Sequence, residues 1–212
     1  MARTKDFDES EVLNKAISIF WHRGYHGTSM TELVSGLGIS RSSLYDTYGN
    51  KHSLFIKALE SYHTKALHRM NMIPHQCTSA KEAIKQLLEL TKSDLIGDLK
   101  QDGCFWVNAA VEIVPYDQEI EDIITHYNQQ VEEIFHSALK KGQDNGEIPL
   151  CINSMATSRF FASTVKGLSV VARSKTDSCV FDDTINVAMS VIDEWATNLQ
   201  VFRSLIYLFD RE

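Results

Sequence analysis

The apolar residues of this chain recur at intervals of three and four positions, and no stretch of useful length alternates between apolar and polar residues. The first run is Val12, Ala16, Ile17 and Phe20, and similar runs follow until about residue 208. Side chains at this spacing lie on one face of an α-helix, whereas a half-buried strand needs a period of two. Because only three prolines interrupt the pattern, the sequence predicts an all-α protein.

Composition narrows the class of protein. Of the 212 residues, 43 % are hydrophobic, which is enough for a packed core and argues against intrinsic disorder. No apolar run reaches the roughly 18 residues of a membrane span, and residues 1–12 lack the apolar region of a secretory signal. The four cysteines form no CxxC pair and no zinc-finger cluster with histidine. We therefore expect a protein of the reducing cytoplasm, with no metal site and no cofactor.

The net charge of −7 is unevenly distributed along the chain. Residues 1–60 hold seven Lys and Arg against seven Asp and Glu, while residues 61–212 hold 14 against 21. The neutral N-terminal part also carries His22, His26 and His52, which we expect on the surface, with a phosphate contact left open for His52. An anionic partner is tolerated there more easily than elsewhere, so the acidic total does not exclude DNA binding.

Residues typical of helix caps mark where the predicted helices begin and end. Asp8, Ser29 and Ser40 are the predicted N-caps of three short helices, and Gly24 and Gly38 end the first two. Longer helices follow, and the segment 199–212 either extends the last one or packs back on the body. We expect a domain boundary between 1–51 and 52–212. The predicted helices cover about residues 9–23, 30–37, 41–48, 51–72, 80–99, 104–114, 118–141, 153–175 and 182–208.

The stretch from Thr28 to Lys51 has the layout of a helix-turn-helix. Two short helices meet at Gly38, which supplies the backbone freedom of a tight corner. Leu44 and Tyr48 are four positions apart and are expected to turn inward. The opposite face of the second helix carries hydroxyl groups, a guanidinium and a phenol, which can contact phosphates and base edges. This face consists of Arg41, Ser42, Ser43, Tyr45, Asp46 and Thr47.

The same stretch resembles the DNA-binding domain of the TetR family of transcriptional repressors. The resemblance covers about residues 8–60, and beyond them it is one of architecture, with a larger C-terminal helical bundle. The family's run S-x-x-x-L-Y-x-x-F-x-x-K reads here with tyrosine at the position of phenylalanine. The matching residues are Ser40, Leu44, Tyr45, Tyr48 and Lys51.

The resemblance implies roles for individual residues. The helix that begins at Arg41 is expected to enter the major groove of a DNA duplex. Thr28 and Ser29 are expected near one phosphate, and Tyr45 and Lys51 are expected to hold others.

Asp46 departs from the family pattern, because many members carry an aromatic residue at this position. A carboxylate near phosphates is unfavourable unless it accepts from a cytosine amino group or pairs with Arg41. We therefore expect Asp46 to help set the DNA sequence that is bound.

A regulator that responds to a ligand needs a cavity, and the interior of a helical bundle offers one. Trp106, followed on the same apolar helix by Asn108 and Glu112, is typical of a polar handle in an apolar pocket. The alternative is that these side chains are ordinary core. The full set of candidate pocket residues is Leu88, Leu95, Phe105, Trp106, Asn108, Glu112, Tyr127, Phe160, Phe161 and Thr164.

Cys104 has a second interpretation. The segment Gly103–Asn108 resembles a Gly-Cys-Leu-x-x-Asn segment of a TetR subgroup, in which some members sense electrophiles or oxidants through the cysteine, with a lysine of the eighth helix as partner. Lys166 matches that lysine by position, and a nearby ammonium lowers the pKa of a thiol. The alternative is that Cys104 is a small buried apolar residue and Lys166 extends to the surface.

The last two predicted helices carry more apolar surface than a monomer can bury. They predict a homodimer through a four-helix bundle, and two recognition helices about 34–36 Å apart then fit a palindromic operator. We predict a ligand- or redox-responsive DNA-binding repressor with an unknown small-molecule inducer. No GxSxG, HExxH or GxxxxGK[ST] motif is present, so no enzyme is expected. The alternatives are an all-α enzyme or small-molecule-binding protein with a vestigial DNA motif, and a structural homodimer without a ligand.

Overall fold

The structure, a computed structural model, describes residues 7–96, 102–174 and 176–209, with side chains up to Trp195 in the last helix. Every regular element among these residues is helical, which confirms the all-α fold. None of the helices described is long and apolar enough to cross a membrane. The helices of the described residues are α1 (Glu9–Arg23), α2 (Met30–Leu37), α3 (Arg41–Tyr48), α4 (Lys51–Gln76), α5 (Ala80–Ile96), α6 (Phe105–Glu112), α7 (Gln118–Asp144), α8 (Ser154–Val171) and α9 (Ser178–Phe209), and Val114–Tyr116 form a 3₁₀ turn.

The first helices begin at the predicted cap residues. The Asp8 carboxylate accepts a hydrogen bond from the Ser10 backbone N–H at 2.7 Å and starts α1. At the start of α2, the Ser29 hydroxyl accepts from the Glu32 N–H at 3.2 Å, and the Glu32 carboxylate accepts from the Ser29 N–H at 2.8 Å. This reciprocal pair is a capping box, and it satisfies two N–H groups that the helix itself leaves without acceptors.

The ends of the later helices differ from the sequence prediction by several residues. α9 begins at Ser178, four residues before the predicted start, because the Asp177 carboxylate accepts from the Cys179 N–H at 3.2 Å and acts as the cap. α4 continues through Pro74 to Gln76, since the proline removes only its own N–H and the Cys77 N–H still donates to Ile73 O at 3.1 Å.

The last helix resolves one alternative left open by the sequence. α9 runs to Phe209, so residues 199–209 extend it rather than form a separate element. Residues 210–212 lie outside the described part of the chain, as do residues 97–99 of the predicted fifth helix.

The described residues divide into two compact units. Those up to Leu67, together with Asp102–Tyr127, form the first unit, and the others form the second. The first unit therefore contains α1 to α3, the first part of α4, α6 and the start of α7. The domain boundary predicted after residue 51 stays a prediction.

Each unit has its own apolar core. In the second unit, Ile84, Leu87, Phe135 and Phe161 are fully buried, and the rings of Phe135 and Phe161 stack with centroids 5.7 Å apart. In the first unit the core holds the helix-turn-helix together. Its largest fully buried side chains are Phe20, Leu33, Leu37, Leu44, Leu54, Phe55, Leu59, Phe105 and Trp106.

The corner between α2 and α3 depends on the backbone of Gly38, whose φ is +70°. We expect Gly38→Ala to lower the free energy of unfolding by about 1 kcal/mol, because a Cβ is strained in left-handed backbone. An added Cβ would meet no atom within 4 Å, so the loss is conformational and not steric. Urea denaturation measures it.

Gly38→Asn is the matched variant, since asparagine tolerates left-handed backbone better than alanine. We expect it to lose clearly less stability than Gly38→Ala. Equal losses for the two substitutions would contradict the conformational origin.

Candidate nucleic-acid interface

Helix α3 buries one face and exposes the other, as the sequence predicted. Leu44 and Tyr48 are buried, and the Tyr48 hydroxyl donates to the Glu9 carbonyl at 3.3 Å. Burial and the nearby Glu9 carboxylate raise the pKa of the Tyr48 phenol, so it remains neutral. On the opposite face Tyr45 is 46 % exposed, as befits a side chain available to a partner. Arg41, Ser42 and Asp46 are also exposed, and Ser43 and Thr47 are half-buried.

The N-terminus of α3 carries a cluster of three hydroxyl groups. The Ser40 hydroxyl accepts from the Ser43 N–H at 3.0 Å and lies 2.9 Å from the Ser42 hydroxyl and 2.8 Å from the Ser43 hydroxyl. The positive end of a helix dipole favours an anion, and hydroxyl groups can donate to one. This end of α3 is therefore suited to contact a phosphate or a base edge.

Lys51, the first residue of α4, is held over an aromatic ring. Its ammonium lies 4.3 Å from the centroid of the Tyr25 ring. Loss of hydration lowers the pKa of Lys51, and the carboxylates of Glu112 and Glu32 oppose that shift. A cation–π contact of this kind restricts the ammonium without neutralising it, so Lys51 remains able to bind a phosphate.

The structure does not support a phosphate contact for the Thr28 side chain. Thr28 is 1 % exposed, and its hydroxyl donates to the Gly24 carbonyl at 2.7 Å, where it closes the turn between α1 and α2. Ser29 is exposed, but its hydroxyl caps α2. The family motif placed both residues near DNA, whereas the local packing takes Thr28 into the core.

Asp46 is not neutralised by Arg41. Within the part of the chain that the structure describes, neither residue takes part in an ion pair. A carboxylate on this face is favourable near DNA if it pairs with Arg41 or if it accepts from a cytosine amino group. The second of these conditions is the one that remains.

Within the first unit, three contacts join the segment 102–117 to the helix-turn-helix. No sequence pattern predicted them. At the first, the Trp21 indole N–H is shared between the carbonyls of Asp102 and Gly103, at 3.2 and 3.1 Å. The Asp102 carboxylate also lies 3.0 Å from Nδ1 of His22. The start of this segment is thereby fixed to α1.

The second contact is made by Glu112, at the end of α6. Its carboxylate accepts from the backbone N–H groups of Tyr25 and His26, at 3.0 and 2.7 Å. It therefore binds the turn between α1 and α2.

The third contact joins α4 to the start of α7. Nε2 of His52 lies 2.7 Å from the Asp117 carboxylate, and the Ile120 N–H donates to the same carboxylate at 3.1 Å. Burial by itself would raise the pKa of Asp117, but the hydrogen bonds from Ile120 and His52 and the charge of His52 lower it below its usual value. His52 is thus engaged with a carboxylate, and no phosphate contact is needed to explain its position.

The candidate pocket residues fall in both compact units. Phe105, Trp106, Asn108, Glu112 and Tyr127 belong to the first unit. Their polar groups are partly used inside the chain, because the Asn108 amide donates to the Asp102 carbonyl at 2.7 Å and Glu112 binds the turn. In the second unit, Leu88 and Phe161 are buried, Phe160 is exposed, and Leu95 and Thr164 are half-buried.

Trp106 is a third candidate pocket residue with a polar group. It is buried, and its indole N–H has no acceptor among the described residues. Its ring packs against Tyr127 and His63, with centroids 4.0 and 5.2 Å away. A buried N–H without an acceptor is costly, so an acceptor that arrives with a ligand would be stabilised there.

Cys104 is the N-cap residue of α6 and is half-buried. Its sulfur lies 3.7 Å from the Tyr62 hydroxyl. Lys166, half-buried on α8, belongs to the second unit, and its partnership with Cys104 stays a prediction. No group of three or more His, Cys, Asp or Glu side chains in the described ranges is arranged to hold a metal ion.

A three-helix unit with a glycine corner, a buried side of α3 and a polar exposed side defines a helix-turn-helix DNA-binding domain. A family model described as bacterial regulatory proteins, tetR family, matches residues 12–58. Over 200 residues the chain is 33 % identical to the HTH-type transcriptional regulator YezE of Bacillus subtilis (strain 168), a match that covers 91 % of this chain and 100 % of YezE. The chain belongs to the TetR family.

Two further comparisons agree. The chain is 27 % identical over 173 residues to the HTH-type transcriptional repressor ComR of Escherichia coli (strain K12), covering 81 % of this chain and 82 % of ComR. A cysteine mutant of the TetR family transcriptional regulator CifR, complexed with a 26-bp operator duplex, superposes with a TM-score of 0.82 at 25 % identity, covering 89 % of this chain and 98 % of the CifR chain. The predicted DNA-binding regulator is thereby confirmed, and a DNA duplex, a second copy of the chain and a small molecule are the partners of this family.

The contact between His52 and Asp117 predicts a pH-dependent contribution to stability. The pKa of Asp117 lies below its usual value of 3.8, so its stabilising effect is complete above that pH and is lost as the pH falls through the lowered pKa. At pH 7 we expect Asp117→Asn to lower the free energy of unfolding by about 0.5–1 kcal/mol at low salt. Urea denaturation from pH 7 to pH 2.5 should show this difference shrinking below about pH 4.

Asparagine is itself a good N-cap, so the substitution tests the charge and not the cap of α7. Glu119→Gln, which removes an exposed carboxylate 3.9 Å from His52, serves as the control and should have a smaller effect. A difference for Asp117→Asn that stays constant over the whole pH range would exclude this role.

Proposed function

We propose that the protein is a transcriptional repressor that binds a palindromic operator as a homodimer and leaves it when a small molecule or an oxidant acts on the chain. The observation that carries this proposal is the exposed polar side of α3 opposite its buried Leu44 and Tyr48. That side has the size and chemistry to enter a major groove.

The proposed DNA contacts lie on three short segments of the first unit. Lys51 and Tyr45 bind backbone phosphates, and Arg41 and Asp46 read base edges. Thr28 is removed from the set because its hydroxyl closes a turn. The contacts are Ser29, Ser40, Arg41, Ser42, Ser43, Tyr45, Asp46, Thr47 and Lys51.

Two copies are proposed to pair through α8 and α9, as the sequence predicted. Large apolar side chains stay exposed on both helices, among them Phe160, Val170 and Val187. Surface of this kind is buried in homodimers. A palindromic operator requires two copies of α3 on one duplex, and a pair of copies supplies them.

The proposed ligand site consists of the predicted pocket residues of the first unit, with Trp106 as the polar handle in place of Asn108 and Glu112. The indole N–H of Trp106 is buried and has no acceptor among the described residues, whereas the polar groups of Asn108 and Glu112 are bonded within the chain. A ligand that binds one spacing of the recognition helices better than the other lowers operator affinity by the ratio of its two affinities.

Oxidation of Cys104 is the proposed alternative signal. Its sulfur stands at the N-terminus of α6, where the helix dipole stabilises an anion. Hydrogen peroxide converts a thiol to a sulfenic acid, with water as the other product. CifR, whose structure is similar, has been solved as cysteine mutants complexed with operator DNA.

The regulator is proposed to act as a binding protein and not as an enzyme, since its relatives are transcriptional regulators. Its place of action would be the cytoplasm, where the DNA of a bacterial cell lies. Residues 1–51 are proposed to bind DNA, and residues 52–212 to sense the signal and pair the copies, with the helix from Lys51 to about Met72 as the moving lever.

Selection of bound fragments from a random duplex library tests the proposal. We expect a palindrome whose half-site centres are about 10 bp apart, because two copies of α3 must meet successive major grooves. Lys51→Gln should weaken binding to the selected duplex about tenfold at low salt and reduce the slope of log K against log salt by about 1. Tyr45→Phe, which removes one hydroxyl, should weaken binding severalfold.

Lys65→Gln is the matched control, since it removes the same charge from the same helix at a lysine that binds Asn14 at 2.7 Å. Its salt slope should equal that of the wild type. Recovery of no duplex at all, or of one without symmetry, would refute a dimeric operator-binding protein.

The proposed release from DNA by an oxidant is tested separately with the selected duplex. Hydrogen peroxide should release the wild type from DNA, and Cys104→Ser should remain bound. Cys151→Ser is the control because Cys151 is exposed, so exposure alone would make it the more reactive thiol. Release of Cys104→Ser by peroxide, measured by fluorescence anisotropy, would rule out Cys104 as the sensor.

A further inference from the structure

Glu112 lies at an unfavourable place for a carboxylate. It is the last residue of α6, where the negative end of the helix dipole repels an anion. The two backbone N–H groups of Tyr25 and His26, at 3.0 and 2.7 Å, compensate for this. The Glu112 carboxylate stands at an unfavourable position and makes two specific hydrogen bonds. This indicates that the two hydrogen bonds have a role.

The chain around the turn leaves room for this carboxylate. Gly24 ends α1 with φ +76°, and a Cβ added there would lie 2.7 Å from one carboxylate oxygen of Glu112 and 3.0 Å from the other. Any other residue at position 24 would therefore be strained and would also displace Glu112. The turn and the carboxylate fit each other closely.

Tyr25, whose backbone N–H donates to Glu112, is also the residue whose ring contacts Lys51. The ring of Tyr25 lies beneath the Lys51 ammonium at 4.3 Å and packs edge-on against Phe55 at 5.0 Å. The backbone of Tyr25 is fixed by Glu112, and its ring is fixed by the core. The position of the ammonium is thus set from α6.

The charge of Glu112 acts on the same lysine. Its carboxylate raises the pKa of Lys51 against the larger lowering by lost hydration. Glu112 therefore supports the charged state of Lys51 as well as the position of the Tyr25 ring beneath its ammonium.

We propose that Glu112 is a positioning residue for DNA binding, whose carboxylate holds the turn at Tyr25 and His26 so that Lys51 is presented to a DNA phosphate. This role rests on the proposed phosphate contact of Lys51. It assigns to Glu112 a function on the DNA side of the molecule, in place of the ligand contact predicted from its sequence position.

The sign of one substitution separates positioning from simple charge. A carboxylate near a phosphate repels it, so on electrostatic grounds alone Glu112→Gln strengthens DNA binding. If the carboxylate positions Lys51, the same substitution weakens binding, because an amide offers one acceptor oxygen where the carboxylate offers two.

We expect Glu112→Gln to weaken binding to the selected duplex about tenfold, the scale of losing charge-assisted hydrogen bonds. In a Lys51→Gln background the further loss should fall to about twofold or less, since the contact being positioned is gone. Glu121→Gln, an equal charge change at an exposed residue of the first turn of α7, should bind at least as tightly as the wild type.

A measurement without DNA tests the bonds themselves. Hydrogen exchange followed by mass spectrometry should show slow exchange of a peptide covering residues 22–28 in the wild type, and at least tenfold faster exchange in Glu112→Gln at unchanged far-UV circular dichroism. Fast exchange of this peptide in the wild type would overturn the proposal even if Glu112→Gln failed to fold.

The outcomes distinguish this role from the proposed function. If Lys51→Gln weakens binding while Glu112→Gln leaves it unchanged or strengthens it, the positioning role is overturned and the DNA contact of Lys51 stands. If Lys51→Gln does not change the affinity for the duplex, the proposed phosphate contact of Lys51 is refuted, and the proposed role of Glu112 is refuted with it.

Discussion

The burial of Leu44 and Tyr48 on one side of α3 is the constraint on which the interface depends. These two side chains set the rotation of an eight-residue helix about its own axis, and that rotation decides which residues face a partner. A change of about 100°, which is one residue, would turn Tyr45 into the core and Leu44 out of it. The positive φ of Gly38 allows this rotation by turning the chain sharply before the Ser40 cap. Core packing and DNA recognition thus use opposite sides of the same short helix.

The segment 102–117 supplies the second constraint. It meets the helix-turn-helix at α1 through Trp21, at the turn through Glu112 and at α4 through Asp117. Contacts at three separate places restrict the orientation of the segment more than a single contact, which would leave it free to pivot. Two of the three are made by carboxylates, so the orientation depends on charged hydrogen bonds and not on apolar packing alone. Interactions of this kind can be weakened without disrupting the core.

The sequence was informative where structure is decided locally. Caps such as Asp8, Ser29 and Ser40 act within three residues, so their pattern can be recognised, and the predicted starts of the first helices are correct. The inward turn of Leu44 and Tyr48 follows from helical spacing in the same way. The contacts of Glu112 join residues 86 and 87 positions apart, and no local pattern records them. A polar residue on an apolar helix fits a ligand handle and a tertiary hydrogen bond equally well, and only the fold distinguishes the two. Thr28 shows the reverse case, in which a motif position expected at DNA is used to close a turn.

The two ends of α6 connect the proposed signal to the proposed DNA contact. Cys104 caps its start and Glu112 ends it, and eight helical residues span only about 12 Å. A tilt of so short a helix moves both ends, so the proposed oxidation of Cys104, or a ligand at the proposed site beside Trp106, would act directly on the bonds to Tyr25 and His26. The energy required is modest, because a tenfold loss of operator affinity corresponds to about 1.4 kcal/mol. That is within the range of one charge-assisted hydrogen bond, so the loss of a single bond at Glu112 is sufficient to transmit the signal without any unfolding of the domain.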